Sequence, residues 1–199
     1  MRAVAAGMRH SAAVGVDGRL YAWGDNRFGQ LGRACSELRR SSTPVEVALP
    51  PECGRVREVV CCWNTTLLVD EHGQLFAFGR SNYGQTGVVS QDSAQGHRIV
   101  RVLSVEQHGA VEQLCCGSEH VFAACRRPCR RSADSDAARE DSELIAWCWG
   151  WNEHGNVGNG ECSDVALPPV QIRPPALRTP GVLGAGYGCT FMTAADAVV

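Results

Sequence analysis

Lysine is absent from the 199 residues, and all 19 basic residues are arginine. The chain therefore lacks the lysine of a phosphate-binding loop and the lysine that forms a Schiff base, which excludes two classes of enzyme. It has no apolar run of about 18 residues, the length that spans a membrane, and residues 1–13 lack the apolar segment of a signal peptide. We therefore expect a protein of the cytoplasm and nucleus that does not bind membranes, with reduced cysteines.

Neither sign of charge is in large excess, since the formal net charge is −2. This balance offers no basic footprint for nucleic acid, although local patches can still exist. We therefore expect the partner to be a protein, with no direct binding of nucleic acid.

A long internal repeat organises the chain. Residues 7–32 align without a gap on residues 62–87, at an offset of 55 throughout. A third copy opens another 55 residues on, at Gly117, and resumes at Gly150 after an insertion, and a fourth copy opens at Gly186. A fixed period of some tens of residues is typical of solenoids and propellers.

We place four repeat units along the chain, at 4–50, 59–104, 114–172 with an insertion at 126–143, and a partial unit at 182–194. Turn glycines follow Asp17 and His72, and such turns favour short antiparallel strands. The glycines that recur at equivalent positions are expected to be structural: Gly7, Gly18, Gly24, Gly29, Gly32, Gly73, Gly79, Gly84, Gly87, Gly117, Gly150, Gly155, Gly158 and Gly186. The pattern predicts an all-β fold in which each unit is one antiparallel blade, with small residue pairs such as Cys61-Cys62 at a narrow centre.

The sequence motif of the first unit is G-x-x-H-S, then D-G-x-x-Y-x-W-G-x-N-x-x-G-Q-L-G, from Gly7 to Gly32. It resembles the repeat of the regulator-of-chromosome-condensation propellers, which implies a β-propeller. Propellers of that family have about seven blades, so this chain would form an incomplete arc of about three and a half. We expect that N-terminal blades are missing from this sequence, or that a partner or a second copy completes the ring.

The last repeat carries a second resemblance. Residues 148–156 and the segment Gly188-Cys189-Thr190 are similar to the last blade and C-terminus of the alpha-tubulin-suppressor proteins. This implies a scaffold for a small zinc-binding protein of diphthamide synthesis, which also serves the Elongator complex in wobble-uridine modification of tRNA. Two alternatives remain: guanine nucleotide exchange on a small GTPase, and a repeat module of a larger multidomain protein.

The loop after each small pair differs between repeats, and a propeller would place these loops side by side on one face. We therefore predict partner-binding residues there: Met8, Arg9, Trp63, Asn64, Ser118, Glu119 and Tyr187. Trp147, Trp149 and Trp151 alternate along a predicted strand, and the first two are expected to pack between blades. Trp151 and His154 follow a turn glycine and are predicted to anchor a partner. Solvated loop residues are the alternative interpretation.

No residue is predicted to be catalytic, and no cofactor or metal ion is expected. His10 and His120 occupy one repeat position, which Thr65 fills in the second copy, so a structural role explains them. Cys125 and Cys129 have the spacing of half a zinc site. However, adjacent cysteines on a strand point to opposite faces and cannot easily supply the other half. We therefore expect a scaffold and not an enzyme.

Overall fold

The computed structural model describes residues 1–89, 96–128, 142–172, 180–186 and 190–194, which form four antiparallel sheets. The first contains Ala3–Ala6 (β1), His10–Val14 (β2), Leu20–Asp25 (β3) and Arg40–Glu46 (β4), and the second Val56–Cys61 (β5), Thr65–Asp70 (β6), Leu75–Gly79 (β7) and Val100–Leu103 (β8). The third contains Ala110–Cys116 (β9), His120–Pro128 (β10), Ser142–Trp151 (β11) and Val165–Ile172 (β12), and the fourth Pro180–Ala185 (β13) and Thr190–Ala194 (β14). A short helix, Val105–His108 (α1), precedes β9. Within these ranges no helix is long and apolar enough to cross a membrane.

Each four-stranded sheet is a meander, because its strands pair in chain order. The loops after the first and third strands therefore lie at one end of the sheet, which we call the loop face, and the turn after the second strand lies at the other end, the turn face. A backbone hydrogen bond of 2.8 to 2.9 Å joins the two loops of each sheet. The donors are Asp25, Arg80 and Trp151, and the acceptors are Arg9, Asn64 and Glu119.

The sheets stand side by side with their first strands at the centre, so that β1, β5, β9 and β13 contact one another in that order. Backbone hydrogen bonds of 2.9 to 3.0 Å join neighbouring sheets at both ends, and each recurs after 55 residues. The donor and acceptor pairs are Met8 to Trp63 and Trp63 to Ser118 on the loop face, and Val56 to Gly18 and Val111 to Gly73 on the turn face. The sheets are blades 1 to 4 of an incomplete propeller arc, which confirms the predicted fold class.

Apolar side chains fill the spaces between blades, and removing such area from water supplies the main stabilising free energy. Between blades 1 and 2 the buried residues are Ala12, Val14, Leu20, Ala22, Leu31, Val47, Val56, Val59, Leu68, Phe76 and Phe78. Between blades 2 and 3, Trp149 is fully buried and Trp147 packs against the same cluster. The indole of Trp147 also donates to the carbonyl of His108 at 3.3 Å. Both tryptophans therefore have the predicted packing role.

Two equivalent carbonyl groups accept a hydrogen bond from a side chain of the next blade. The carbonyl of Gln30 accepts from Oγ1 of Thr66 at 2.8 Å, and that of Gln85 accepts from Nε1 of Trp149 at 3.0 Å. The corresponding cross-strand pairs are Thr66 with Phe78 and Val121 with Trp149. Phe78 has no hydrogen-bond donor, so its cross-strand neighbour Thr66 supplies the hydrogen bond. One blade later the indole of Trp149 supplies it.

His10 links blade 1 to the same hydroxyl group. Its Nε2 lies 3.0 Å from Oγ1 of Thr66, in a buried contact. Because the Thr66 hydroxyl donates its proton to Gln30, Nε2 of His10 must carry the imidazole proton. Burial lowers the pKa of His10 to about 4, so the ring is neutral at pH 7.

The histidine position depends on the glycine three residues before it. A Cβ on Gly7 would overlap the His10 ring, and a Cβ on Gly117 would overlap the His120 ring. In the second repeat both positions change together. Cys62 replaces the glycine and is larger, and Thr65 replaces the histidine and is smaller. The histidines of this position are thus packing residues.

Most of the predicted structural glycines have left-handed backbone. Eleven of the fourteen have φ between +68° and +116°. Gly24, at +105°, faces the carbonyl of Arg9, where a side chain would have no room. The other three, Gly7, Gly117 and Gly186, line the centre of the arc. A Cβ on Gly7 or on Gly117 would also meet a backbone carbonyl of the next blade, that of Cys62 or of Gly186.

The ends of the predicted insertion at 126–143 belong to a hairpin. Strands β10 and β11 stay paired as far as Pro128 and Ser142, so residues 126–128 and 142–143 lie in strands. The guanidinium of Arg126 binds the carboxylate of Glu112 on β9 at 2.8 Å, which helps to hold this end of the hairpin. Residues 129–141 lie outside the described residues.

We expect Trp149→Phe to lower the free energy of unfolding by about 2 kcal/mol or more, because it leaves the buried Gln85 carbonyl without its donor. Adding Val121→Thr is expected to recover part of this loss, because the new hydroxyl takes the position that Thr66 has one blade earlier. Urea unfolding of the wild type, both single variants and the double variant measures the coupling. Strictly additive effects would show that the two positions do not share this acceptor.

We expect stability to fall between pH 6.5 and about 4, because the unfolded chain protonates His10 in this range while the folded chain does not. This loss of unfolding free energy is absent well above pH 6.5 and amounts to about 3 kcal/mol below pH 4. His10→Gln keeps a donor for Thr66 but does not titrate, so it should flatten the pH dependence of the urea midpoint. The same pH dependence in both proteins would contradict the assignment.

Candidate protein interface on the loop face

The loops that follow β1, β5 and β9 meet around a cavity of about 370 Å³ at the centre of the loop face. Met8 is 56% exposed, Arg9 is exposed, and Trp63 is half-buried. The cavity is lined by Met8, Trp63 and Ser118 of three successive loops, by Cys61 and Cys116 at the ends of β5 and β9, and by Cys62 directly after β5. The structure therefore brings the predicted loop residues together, as the repeat implies. The prediction for Tyr187 lies outside the described residues.

Three of the predicted loop residues, Asn64, Ser118 and Glu119, are buried. The carboxylate of Glu119 accepts a hydrogen bond from Nε2 of Gln85 in the preceding blade and lies 3.7 Å from Nη1 of Arg80. Burial raises the pKa of Glu119, and the contacts with Gln85 and Arg80 partly offset this. These three side chains have little exposed area, and for Glu119 the preceding blade covers the position, whereas Ser118 still lines the central cavity. Their role in partner binding stays a prediction.

The cysteines at the centre are packing residues. Burial raises the pKa of Cys61 to about 12, and a hydrogen bond with Cys116 together with burial raises the pKa of Cys62. Thiols with a raised pKa are poor nucleophiles and poor metal ligands. Cys125 is also buried, with its pKa raised to about 12 by burial, and Cys129 lies outside the described residues. Among the residues with described positions, no group of His, Cys, Asp or Glu side chains could hold a metal ion.

The predicted anchor residues belong to an aromatic cluster that spans two blades. Trp151 ends β11 and is half-buried, and its ring centroid lies 6.4 Å from that of Tyr83 and 5.3 Å from that of His154. Nε1 of Trp151 donates to the exposed carboxylate of Glu153 at 3.2 Å. Tyr83 was not among the residues predicted from the sequence. The available signal was its repeat position, which is also aromatic in the first copy, as Phe28.

Opposite charges gather at the two ends of the loop face. At one end blade 1 carries four exposed arginines, Arg9, Arg27, Arg39 and Arg40, and one exposed carboxylate, Glu37. Arg27 pairs with Asp25 at 2.9 Å. The loop between β11 and β12 of blade 3 carries three exposed carboxylates, Glu153, Glu161 and Asp164. The formal net charge of −2 does not reveal this separation.

These side chains are suited to noncovalent recognition. Guanidinium groups bind carboxylates with paired hydrogen bonds, and aromatic rings offer both apolar area and a face that attracts cations. Tryptophan, tyrosine and arginine carry a large share of the binding free energy in protein interfaces. The loop face presents all three residue types on a rigid set of blades.

Known proteins share the repeat and the blade architecture. Two family models, both described as regulator of chromosome condensation (RCC1) repeat, match residues 17–69 and 1–30. The mouse secretion-regulating guanine nucleotide exchange factor is 31% identical over 204 residues, which cover 92% of this chain and 38% of that protein. The Arabidopsis ultraviolet-B receptor UVR8 is 39% identical over 170 residues, which cover 85% of this chain and 36% of the receptor.

The fold is also that of a solved structure. Human WBSCR16 superimposes with a TM-score of 0.78 at 20% sequence identity, over 98% of this chain and 46% of that one. The chain thus spans less than half the length of each of these three proteins. The 55-residue repeat, the meander blades and the matching family models agree, and the chain belongs to the regulator of chromosome condensation (RCC1) repeat family.

Proposed function

We propose that the chain is a non-catalytic scaffold that binds another protein through its loop face. The observation that carries this proposal is the chain of backbone hydrogen bonds that holds loops of different sequence side by side, Met8 to Trp63 and Trp63 to Ser118. A backbone that is already ordered reduces the entropy lost on binding. Side chains that differ on a constant backbone are the means by which repeat proteins recognise partners.

The accessible residues of the loop face support a protein as the ligand. Met8 and Arg9 are exposed beside the central cavity, and Trp151 and His154 stand at the boundary of blades 2 and 3. Trp63 is half-buried between them. Together they offer separated apolar and charged contacts over several blades, which suits an extended protein surface better than a small molecule.

A second candidate is guanine nucleotide exchange on a small GTPase. It is favoured by the name of the mouse relative, a guanine nucleotide exchange factor that aligns with 92% of this chain. Exchange requires groups that displace the nucleotide phosphates or the bound magnesium ion, and fold similarity alone does not supply them. In this candidate the loop face would bind the GTPase, so it is a special case of the first proposal.

The resemblance of residues 148–156 to the alpha-tubulin-suppressor proteins supports a more specific version. In that version the partner is the small zinc-binding protein of diphthamide synthesis, and the chain regulates wobble-uridine modification of tRNA with the Elongator complex. The chain would then act in the cytoplasm and nucleus. A repeat module within a larger protein is a further version, and it uses the same loop face.

A photo-crosslinking amino acid at Met8 is expected to form covalent adducts with a partner protein in cells, because Met8 is exposed on the loop face. The matched control is the same amino acid at Val16, which is 80% exposed on the turn face. We expect adducts at Met8 to exceed those at Val16 several-fold by immunoblotting. Equal labelling at both positions, or stronger labelling at Val16, would overturn the choice of face.

The identity of the Met8 adducts separates the versions. If a small GTPase is among them, the release of a fluorescent guanine nucleotide from that GTPase is measured next. Faster release in the presence of the purified chain supports nucleotide exchange. The zinc-binding protein among them supports the tRNA and diphthamide version. Adducts with another protein, without accelerated nucleotide release, support a scaffold of different purpose.

A further inference from the structure

An aromatic residue stands at the same place on the loop face of blades 1 and 2. In blade 1 it is Phe28, and the guanidinium carbons of Arg27 and Arg80 lie 5.9 and 5.3 Å from the centre of its ring. A guanidinium at this distance from an aromatic ring is attracted to the electrons of its face. The chain itself therefore supplies the arginines that cover Phe28.

In blade 2 the equivalent residue, Tyr83, lies 55 positions further on. Asn82 replaces Arg27 at the preceding position, and Trp151 in blade 3 replaces Arg80. Within the described residues no arginine stacks on Tyr83, and its ring instead lies 6.4 Å from that of Trp151, inclined at 53°. The substitutions remove the internal cations and leave an aromatic pair.

The blade 3 side of this pair also lacks a cation. Residues 142–172 contain no arginine or lysine. Glu153, Glu161 and Asp164 are exposed in the loop between β11 and β12, and none forms an ion pair with another residue of the described ranges. The indole of Trp151 is oriented by its hydrogen bond to Glu153 at 3.2 Å, so a carboxylate lies directly beside the ring. The surface therefore attracts positive charge.

We propose that Tyr83, Trp151 and His154, together with the carboxylate of Glu153, bind an arginine side chain from a basic segment of a partner protein. The partner's guanidinium takes the place over Tyr83 that Arg27 and Arg80 have over Phe28. This inference rests on the proposed function, since it names one contact on the loop face and the charge of the partner segment that makes it.

The charges favour a protein segment over a nucleic acid. Exposed aromatic rings also stack on bases of single-stranded nucleic acid, but those sites carry a groove of positive charge for the phosphates. Here the exposed charges of the loop between β11 and β12, Glu153, Glu161 and Asp164, repel phosphate. A guanidinium gains both the ring contact and the carboxylate contact.

The test uses the full chain and a fluorescein-labelled peptide of alternating arginine and glycine, with binding followed by fluorescence anisotropy. We expect Trp151→Ala to weaken binding by about ten-fold, the scale of one lost cation–ring contact with a desolvated partner. Phe28→Ala is the matched control, because it removes the aromatic residue of the same repeat position in blade 1, and it should leave the affinity unchanged. A peptide with citrulline in place of arginine should bind at least as weakly to the wild type as the arginine peptide binds to Trp151→Ala.

Two further variants keep the test decisive if Trp151→Ala unfolds. Trp151→Arg restores the residue type that covers Phe28, so it should cover Tyr83 from within and abolish peptide binding while the thermal midpoint is retained. Glu153→Gln should weaken binding several-fold without changing the fold. Equal affinity of the wild type and both variants, or equal affinity for the citrulline peptide, would overturn the inference. Met8 adducts that persist in that case would leave the proposed function standing.

Discussion

The structure depends on one repeated constraint, the backbone hydrogen bonds that join blade 1 to blade 2 and blade 2 to blade 3 at both faces. The loop-face bond from Met8 to Trp63 recurs from Trp63 to Ser118, and the turn-face bond from Val56 to Gly18 recurs from Val111 to Gly73. Because these bonds use only main-chain atoms, they fix the spacing of the blades without specifying the side chains. The loops can therefore differ in sequence while their positions stay the same.

Where a side chain does take part in joining blades, changes occur in linked sets. The carbonyls of Gln30 and Gln85 each receive a donor, but the donor is a hydroxyl in one blade and an indole in the next. The side-chain volumes at two neighbouring positions also change together, since Gly7 occurs with the large His10 and Cys62 with the smaller Thr65. A buried acceptor and a filled volume are thus conditions on a pair of positions, and several residue pairs satisfy them.

The repeat made the fold predictable, because a constant offset of 55 and recurrent glycines require equivalent blades. The packing roles of Trp147 and Trp149 followed from the same alignment. The burial of Glu119 did not, because it depends on side chains of the preceding blade, Gln85 and Arg80. A loop read by itself gives no information on which of its residues another blade covers. The cluster of Tyr83 with Trp151 was missed for the same reason, since its members come from different blades.

The separation of charge on the loop face follows from this division between backbone and side chain. A constant arc places the arginines of blade 1 and the carboxylates of blade 3 two blades apart, too far for direct pairing. Beyond about 10 Å salt largely screens such charges from each other, so they persist as two patches. A partner with complementary patches is favoured in one orientation and disfavoured when reversed, because reversal brings like charges together. The net charge of the chain does not reveal this arrangement. The register of the repeats does, because it assigns each charged residue to its blade.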